Sequence, residues 1–181
     1  MATHVVIGDP HCTPKASNER FLWAGRLAAD VRATHIICMG DFCSMDSLSS
    51  YDKKKKSFEG RRYQKDMQHS HEALSLFNKG LGKHKARKIM LHGNHEDRID
   101  RFVDENPELD GTLKISDLNF KQYGWQEVPY KQNKVLNGVY YAHHFPSGIL
   151  GSAISGENIA RTLLTKHKVS ATVGHSHLLD Y

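Results

Sequence analysis

No apolar run in this sequence approaches the roughly 18 residues needed to cross a bilayer. The N-terminus carries no apolar signal-peptide core. The cytoplasm is therefore the expected compartment. Cysteine is scarce: Cys12, Cys38 and Cys43 are odd in number, so they cannot all pair within the chain. None stands in a CxxC spacing, which argues against a thiolate zinc site and for small buried thiols. Cys12 and Cys43 adjoin candidate ligands, so oxidation or soft-metal capture there stays open. Internal repeats and low-complexity linkers are absent. A strong charge excess is missing too. The net charge of +5, with histidines neutral, suits an anionic substrate or partner without specifying one.

What remains is the composition of a folded protein. The 181 residues suffice for one domain, residues 1–181, with a single core, and 39% are hydrophobic. Thirteen histidines, several in short clusters, are the most informative feature.

Periodicity divides the chain into strands and helices. His4–Ile7 is an apolar run suited to a strand covered on both faces. Ser17 or Asn18 can cap a helix to about Arg32, with Phe21, Ala24, Ala28 and Val31 on one face. His35–Met39 is a second strand. A polar loop with Lys53, Lys54, Lys55 and Lys56 leads to a helix from about Gly60 to Asn78, striped by Tyr63, Met67, Leu74 and Phe77. Lys88–Leu91 is a third strand, and Glu96 to Glu105 reads as helix, stopping at Asn106-Pro107. Residues 108–132 have weak periodicity. Asn137-Gly138 is a hairpin turn between Lys134–Leu136 and Val139–Ala142. A helix from about Gly156 to Lys168 precedes the strand Ala171–Val173. Strands alternating with helices predict a layered α/β fold.

Five predicted strands end in metal-ligating or polar residues: Asp9 and His11; Asp41; Asn94 and His95; His143 and His144; His175 and His177. Ligands gather beyond the carboxyl ends of strands in open α/β sheets, so distant residues can converge. Oxygen and imidazole donors without thiolate suit manganese, iron or zinc, and one carboxylate can bridge two ions.

The blocks Asp9-Pro10-His11, Gly40-Asp41, Gly93-Asn94-His95-Glu96, His143 and Gly174-His175-Ser176-His177 resemble the calcineurin-like metallophosphoesterase superfamily in order and spacing. That resemblance implies a four-layer α/β/β/α sandwich. With only four residues from His177 to Tyr181, it is expected to lack the family's C-terminal closing strands. It further implies two divalent ions, manganese first, with iron, zinc or nickel as alternatives. One would be held by Asp9, His11, Asp41 and His177. The other would be held by Asp41, Asn94, His143 and His175, with Asp41 bridging. His95 would protonate the leaving oxygen after attack by a metal-bridging hydroxide.

Two departures narrow the expected substrate. Phosphoprotein phosphatases of the family read G-D-x-x-D-R, where the second Asp orients the histidine; here Ser44 and Met45 stand there, with Asp46 the nearest substitute. They also read H-G-G where this chain has His143-His144-Phe145. A phosphodiester is thus expected over a phosphoprotein, with a DNA or RNA nuclease and an inactive metal-binding scaffold as alternatives. Retention of His95 argues against the scaffold.

Arg98, one helical turn after His95, can meet a phosphate oxygen or make an ordinary salt bridge. Lys53–Lys56 with Arg61, Arg62 and Lys65 form the densest basic stretch, read either as a solvated face or as a nucleic-acid contact. Tyr51, Phe58 and Tyr63 interleave with it and can stack bases. His4, His35, His69, His71, His84 and His167 read as surface or satisfied core histidines, and His92 as structural.

Overall fold

The computed structural model describes residues 2–147 and 151–181. The order is β1 (His4–Ile7), α1 (Glu19–Asp30), β2 (His35–Cys38), α2 (Tyr63–Leu81), β3 (Arg87–Leu91), α3 (Arg98–Glu105) and β4 (Trp125–Val128). β5 (Asn133–Leu136), β6 (Val139–Ala142), β7 (Pro146–Ser147), β8 (Ser152–Ala153), α4 (Ile159–His167) and β9 (Ala171–Val173) complete it. Among the described residues no helix is long and apolar enough to cross a membrane.

Four strands form one parallel sheet in the order β1-β2-β3-β4, and three form another in the order β5-β6-β9. Ile7 pairs with Cys38, and Cys38 with Met90, so β1, β2 and β3 end at one edge of the first sheet. β6 and β9 are also parallel, with Ala142 beside Val173, so their ends coincide in the second sheet. This alignment puts the strand-end motifs in register.

Alternation along β2 shows how the sheets are covered. Ile36 and Cys38 join a core with Phe21, Ala28, Met67, Leu74 and Phe77 of α1 and α2. Ile37 and Met39 point the other way, into a cluster with Ile89, Leu91, Val128, Leu136 and Tyr141 from both sheets. Ala142 packs with Ile159 and Leu163 of α4 in a third cluster. Each fully buried Ile, Leu or Phe contributes about 1.5–3 kcal/mol. The first sheet, covered on both faces along β2 and β3, is therefore the stiff frame of the molecule. The protein is thus a mixed α/β fold with a parallel sheet.

Several expectations differ from the structure. β1 is an edge strand with Val6 40% exposed, not a strand covered on both faces. Asn18 begins α1 without capping it; its amide donates to His69 O and to Glu72 across the helix pair. α1 ends at Asp30, so Val31 falls off the apolar stripe and is 43% exposed. α2 is displaced toward the C-terminus, because Arg62 is extended and the stripe continues to Leu81. Residues Asn94–Asp97 are turn, and α3 starts only at Arg98. The segment 108–132 contains β4, preceded by short 3-10 turns whose three-residue period hid it. The Asn137-Gly138 hairpin forms, both residues left-handed at φ 50° and 82°.

Candidate metal centre

The aligned strand ends bring three groups of ligand atoms together, each group mutually within 4.8 Å: Asp9, His11 and His177; His11, Asp41 and His95; and Asp41, His143 and His175. His11 and Asp41 each belong to two groups, so the three form one continuous cluster. These groups are compatible with metal binding.

In one half, His11 Nε2 lies 3.2 Å from His177 Nε2 and 3.8 Å from Asp41 Oδ2. Asp9 Oδ2 stands 3.3 Å from His177 Nε2. In the other half, Asn94 Oδ1 lies 2.9 Å from His143 Nε2 and 2.8 Å from His175 Nδ1. Those ring nitrogens are 3.2 Å apart, and Asp41 Oδ2 is 3.5 Å from His143 Nε2. A cation with donors at about 2.1 Å sets neighbouring donor atoms about 3.0–3.4 Å apart in octahedral or tetrahedral geometry. The observed separations, from 2.8 to 3.8 Å, bracket that spacing.

Protonation sharpens the point. His143 Nδ1 donates to the Met39 carbonyl at 2.9 Å, so in the neutral ring Nε2 holds a lone pair. That lone pair faces Asn94 Oδ1 and Asp41 Oδ2, both acceptors. Asp9 Oδ1 is buried with no hydrogen-bond partner. Burial, then the nearby His143, lowers the pKa of His175, and burial lowers that of His11. An unprotonated Nε2 facing two acceptors, beside a buried carboxylate oxygen without a partner, is compatible with a bound cation.

The backbone is bent to make this arrangement. His11, Asp41, His175 and His177 all have left-handed φ, between 44° and 66°. Each such residue costs on the order of 1–3 kcal/mol, and such strain concentrates at functional sites. Two motif glycines explain themselves by close approach. A side chain on Gly93 would collide with the Asp41 carboxylate, and one on Gly174 with that of Asp9. Instead His95 N–H donates to Asp41 Oδ1 at 2.9 Å, and His175 N–H donates to Asp9 Oδ2.

Glu96 is the residue that sequence reasoning undervalued. Fully buried, it accepts backbone N–H groups from Asp41 at 2.9 Å, Cys43 at 3.1 Å and Gly93 at 2.8 Å, tying the β2 and β3 loops together. Burial, with the Asp41 charge second, pushes its carboxyl up to about 7. A lone bridge between Cys12 and Cys43 joins the β1 loop to the same frame, with Cys12 N–H donating to Phe42 O at 2.7 Å. All three cysteines are free and fully buried. Burial raises the Cys38 thiol, and Cys43 is raised first by its hydrogen bond with Cys12 and then by burial. Neither Cys38 nor Cys43 belongs to any of the three ligand groups found among the described residues.

His95 Nδ1 donates to the Ser44 carbonyl at 2.7 Å, and its Nε2 accepts from Arg98 at 3.1 Å. Ser44 thus orients the ring through its backbone, where Asp46 was the expected substitute. Asp46 faces Thr13 Oγ1 at 3.4 Å and Lys15 at 3.8 Å instead. Arg98 also donates to the Ser44 carbonyl at 2.8 Å, so it braces the histidine rather than forming a surface ion pair. Burial pushes the His95 pKa down to about 4, with Asp41 opposing and Arg98 adding to the fall.

Of the adjacent pair, His143 enters the cluster. The His144 ring packs on Tyr130 at 5.3 Å, and burial holds its pKa down to about 4. His92 Nε2 meets Glu127 at 2.9 Å, the structural role expected of it. His69, His71 and His84 each meet a backbone carbonyl, His4 bonds Tyr141 and Asn137, and His35 stacks edge-on against His4. The His167 ring lies on Phe145.

The basic stretch is partly neutralised from within. Lys55 and Arg61 pair with Asp52 at 3.2 and 2.8 Å, and Lys53 pairs with Glu105 at 3.6 Å. Lys54, Lys56, Arg62 and Lys65 stay exposed. Tyr63 packs against the core and bonds Asp117, and Phe58 lies beneath Arg61, so both rings are already engaged. Tyr51 alone of the three is open, at 82% exposure. It borders a cleft that reaches Asn94, Arg98 and His175.

In comparisons with known proteins, no family model and no curated protein matches this chain.

Proposed function

We propose that the protein is a dinuclear, metal-dependent phosphoesterase whose substrate is a phosphodiester. Its two sheets and flanking helices would form the four-layer α/β/β/α sandwich of the calcineurin-like metallophosphoesterases. The observation that carries the reading is the chain of three donor groups linked through His11 and Asp41, with His95 in the middle group, 3.8 Å from Asp41 Oδ2.

Asp9, His11, Asp41 and His177 would hold one ion, and Asp41, Asn94, His143 and His175 the other. Oxygen and imidazole donors suit manganese first, with iron, zinc or nickel as alternatives. Two divalent cations, when bound, supply a hydroxide nucleophile at neutral pH and offset charge on the phosphoryl oxygens. The protein's own share is positional. Glu96 and the Met39 carbonyl fix Asp41 and His143 before any ligand arrives. The Ser44 carbonyl keeps the His95 Nδ1 proton in place, leaving Nε2 as the atom that faces the site. An arriving phosphate anion draws Arg98 and favours proton uptake at Nε2, from which the leaving oxygen takes its proton.

The test is hydrolysis of bis-p-nitrophenyl phosphate. Activity should vanish after chelation and return with manganese. His95→Asn should lower kcat by about 10²–10⁴ while the metal content stays at the wild-type level. Full activity in metal-free protein, verified by elemental analysis, would overturn the proposal.

A further inference from the structure

We propose, on the basis of the phosphoesterase reading, that the cleft beside the metal centre is a subsite for one nucleoside, so that the substrate is a nucleotide ester. The cleft encloses about 250 Å³ and opens at Asn94 and His175, the ends of two candidate ligand loops. A phosphoryl group at the metals would therefore place one of its ester arms in this cleft.

Its walls say what that arm is. Arg98, the deepest cation, is already bonded to the carbonyls of Ser44 and Met45 and to His95. Arg101 is held by Asp97 at 3.1 Å and by the Asn94 carbonyl at 3.0 Å. Lys53 caps the Phe102 ring at 5.4 Å and pairs with Glu105. Arg101 and Lys53 are thus already paired and Arg98 serves the phosphoryl group at the metal centre, so the cleft is a poor second phosphate site.

What it offers unspent is aromatic and planar: the open ring of Tyr51 and the guanidinium plane of Arg101. Exposed aromatic rings next to a phosphate site are what nucleobases stack on, at about 1–3 kcal/mol per base, or roughly 5- to 150-fold. The volume decides how much is held. It falls below the roughly 300–1,000 Å³ of a drug-sized site. That is a volume for one nucleoside within the cleft itself.

The experiment compares two diesters with the same leaving group on the manganese-loaded protein: thymidine 5′-(p-nitrophenyl phosphate) and methyl p-nitrophenyl phosphate. Wild type should prefer the thymidine ester in kcat/KM. Tyr51→Ala should reduce that preference by about 5-fold or more, and Tyr51→Phe, which keeps the ring, should retain it. In parallel, calorimetry should find thymidine 5′-monophosphate bound more tightly than ribose 5-phosphate, with the difference abolished in Tyr51→Ala. Turnover of both esters without preference, or equal losses on both in Tyr51→Ala, overturns the subsite and leaves the phosphoesterase reading standing. Turnover of neither removes the phosphoesterase reading, and calorimetry then decides the subsite: equal binding of the two phosphates overturns it.

Discussion

Asp41 and His143 are 2% exposed, whereas the His177 side chain, which faces the same cluster, is 59% exposed. The buried half stands mainly on β2, β3 and β6, with His175 reaching in from the loop after β9. Glu96 pins its loops, the Met39 carbonyl fixes the His143 tautomer, and the stiff sheet lies behind it. The open half stands on two edge strands: Asp9 and His11 follow β1, and His177 follows β9 in the loop that begins at Gly174. That loop is held by Gly174 N–H to the His143 carbonyl, by Ser176 N–H to Gly174 O, and by the Asp9 carboxylate. One half is ordered by the protein; the other has fewer ties and depends more on what it binds. Pre-organised donors hold an ion at little conformational cost, so affinity should be graded across the cluster.

The largest expected effect comes from the residue both halves share. Asp41→Asn keeps the size of the side chain but removes the charge that would serve both ions. Turnover of a diester should fall further than in His95→Asn, beyond about 10²–10⁴-fold. Metal content, measured after gel filtration, should drop in both halves. Retention of one tightly held ion would show that Asp41 is not shared and that the halves are independent.

Next comes the frame of the buried half. In Glu96→Gln, one carboxylate oxygen becomes an amide NH₂ facing backbone N–H donors. The change should weaken metal binding by about 10–100-fold, as outer-shell changes do. It should also lower folding stability by about 1–3 kcal/mol, because a buried donor is left unsatisfied. His177→Ala, in the open half, should weaken metal binding with little change in thermal unfolding of the metal-free protein. If the two variants were destabilised equally, the contrast between a built and an open half would fail.

The strand-end residues were legible in the sequence because strand ends announce themselves: an apolar run stops at glycine and a ligand-type side chain follows. Parallel pairing then brings those ends into register without further information. What stayed hidden depends on backbone conformation and on groups that carry no side-chain signature. The left-handed geometry of His11, Asp41, His175 and His177 is invisible in residue types that seldom adopt it. Met39 and Ser44 act through carbonyls that every residue possesses. Glu96 reads as the first residue of a helix, and only its three backbone bonds show it as the pin between two loops. Edge position misled in the opposite direction. The apolar run of β1 looked fully buried, because residue type alone does not say which strand lacks a neighbour.

The smallest expected effect lies in the basic stretch, where the sequence shows seven cations and the structure leaves fewer free. Lys53, Lys55 and Arg61 face Glu105 and Asp52, so replacing them would disturb the loop as well as its charge. Lys54, Lys56 and Lys65 are exposed and are the fair probes. If they track a single-stranded phosphate backbone that enters the cleft at Tyr51, changing all three to Gln should flatten the salt dependence of oligonucleotide binding. The slope should change by about 0.7 for each phosphate that is no longer neutralised. Turnover of methyl p-nitrophenyl phosphate should hold, because the donor cluster, His95 and Tyr51 are untouched. An unchanged salt slope would make the stretch a solvated face and would confine substrate recognition to the single-nucleoside cleft. An equal fall in turnover of the small diester would instead mean that the loop shapes the centre, extending the built half of the cluster to residues 53–65.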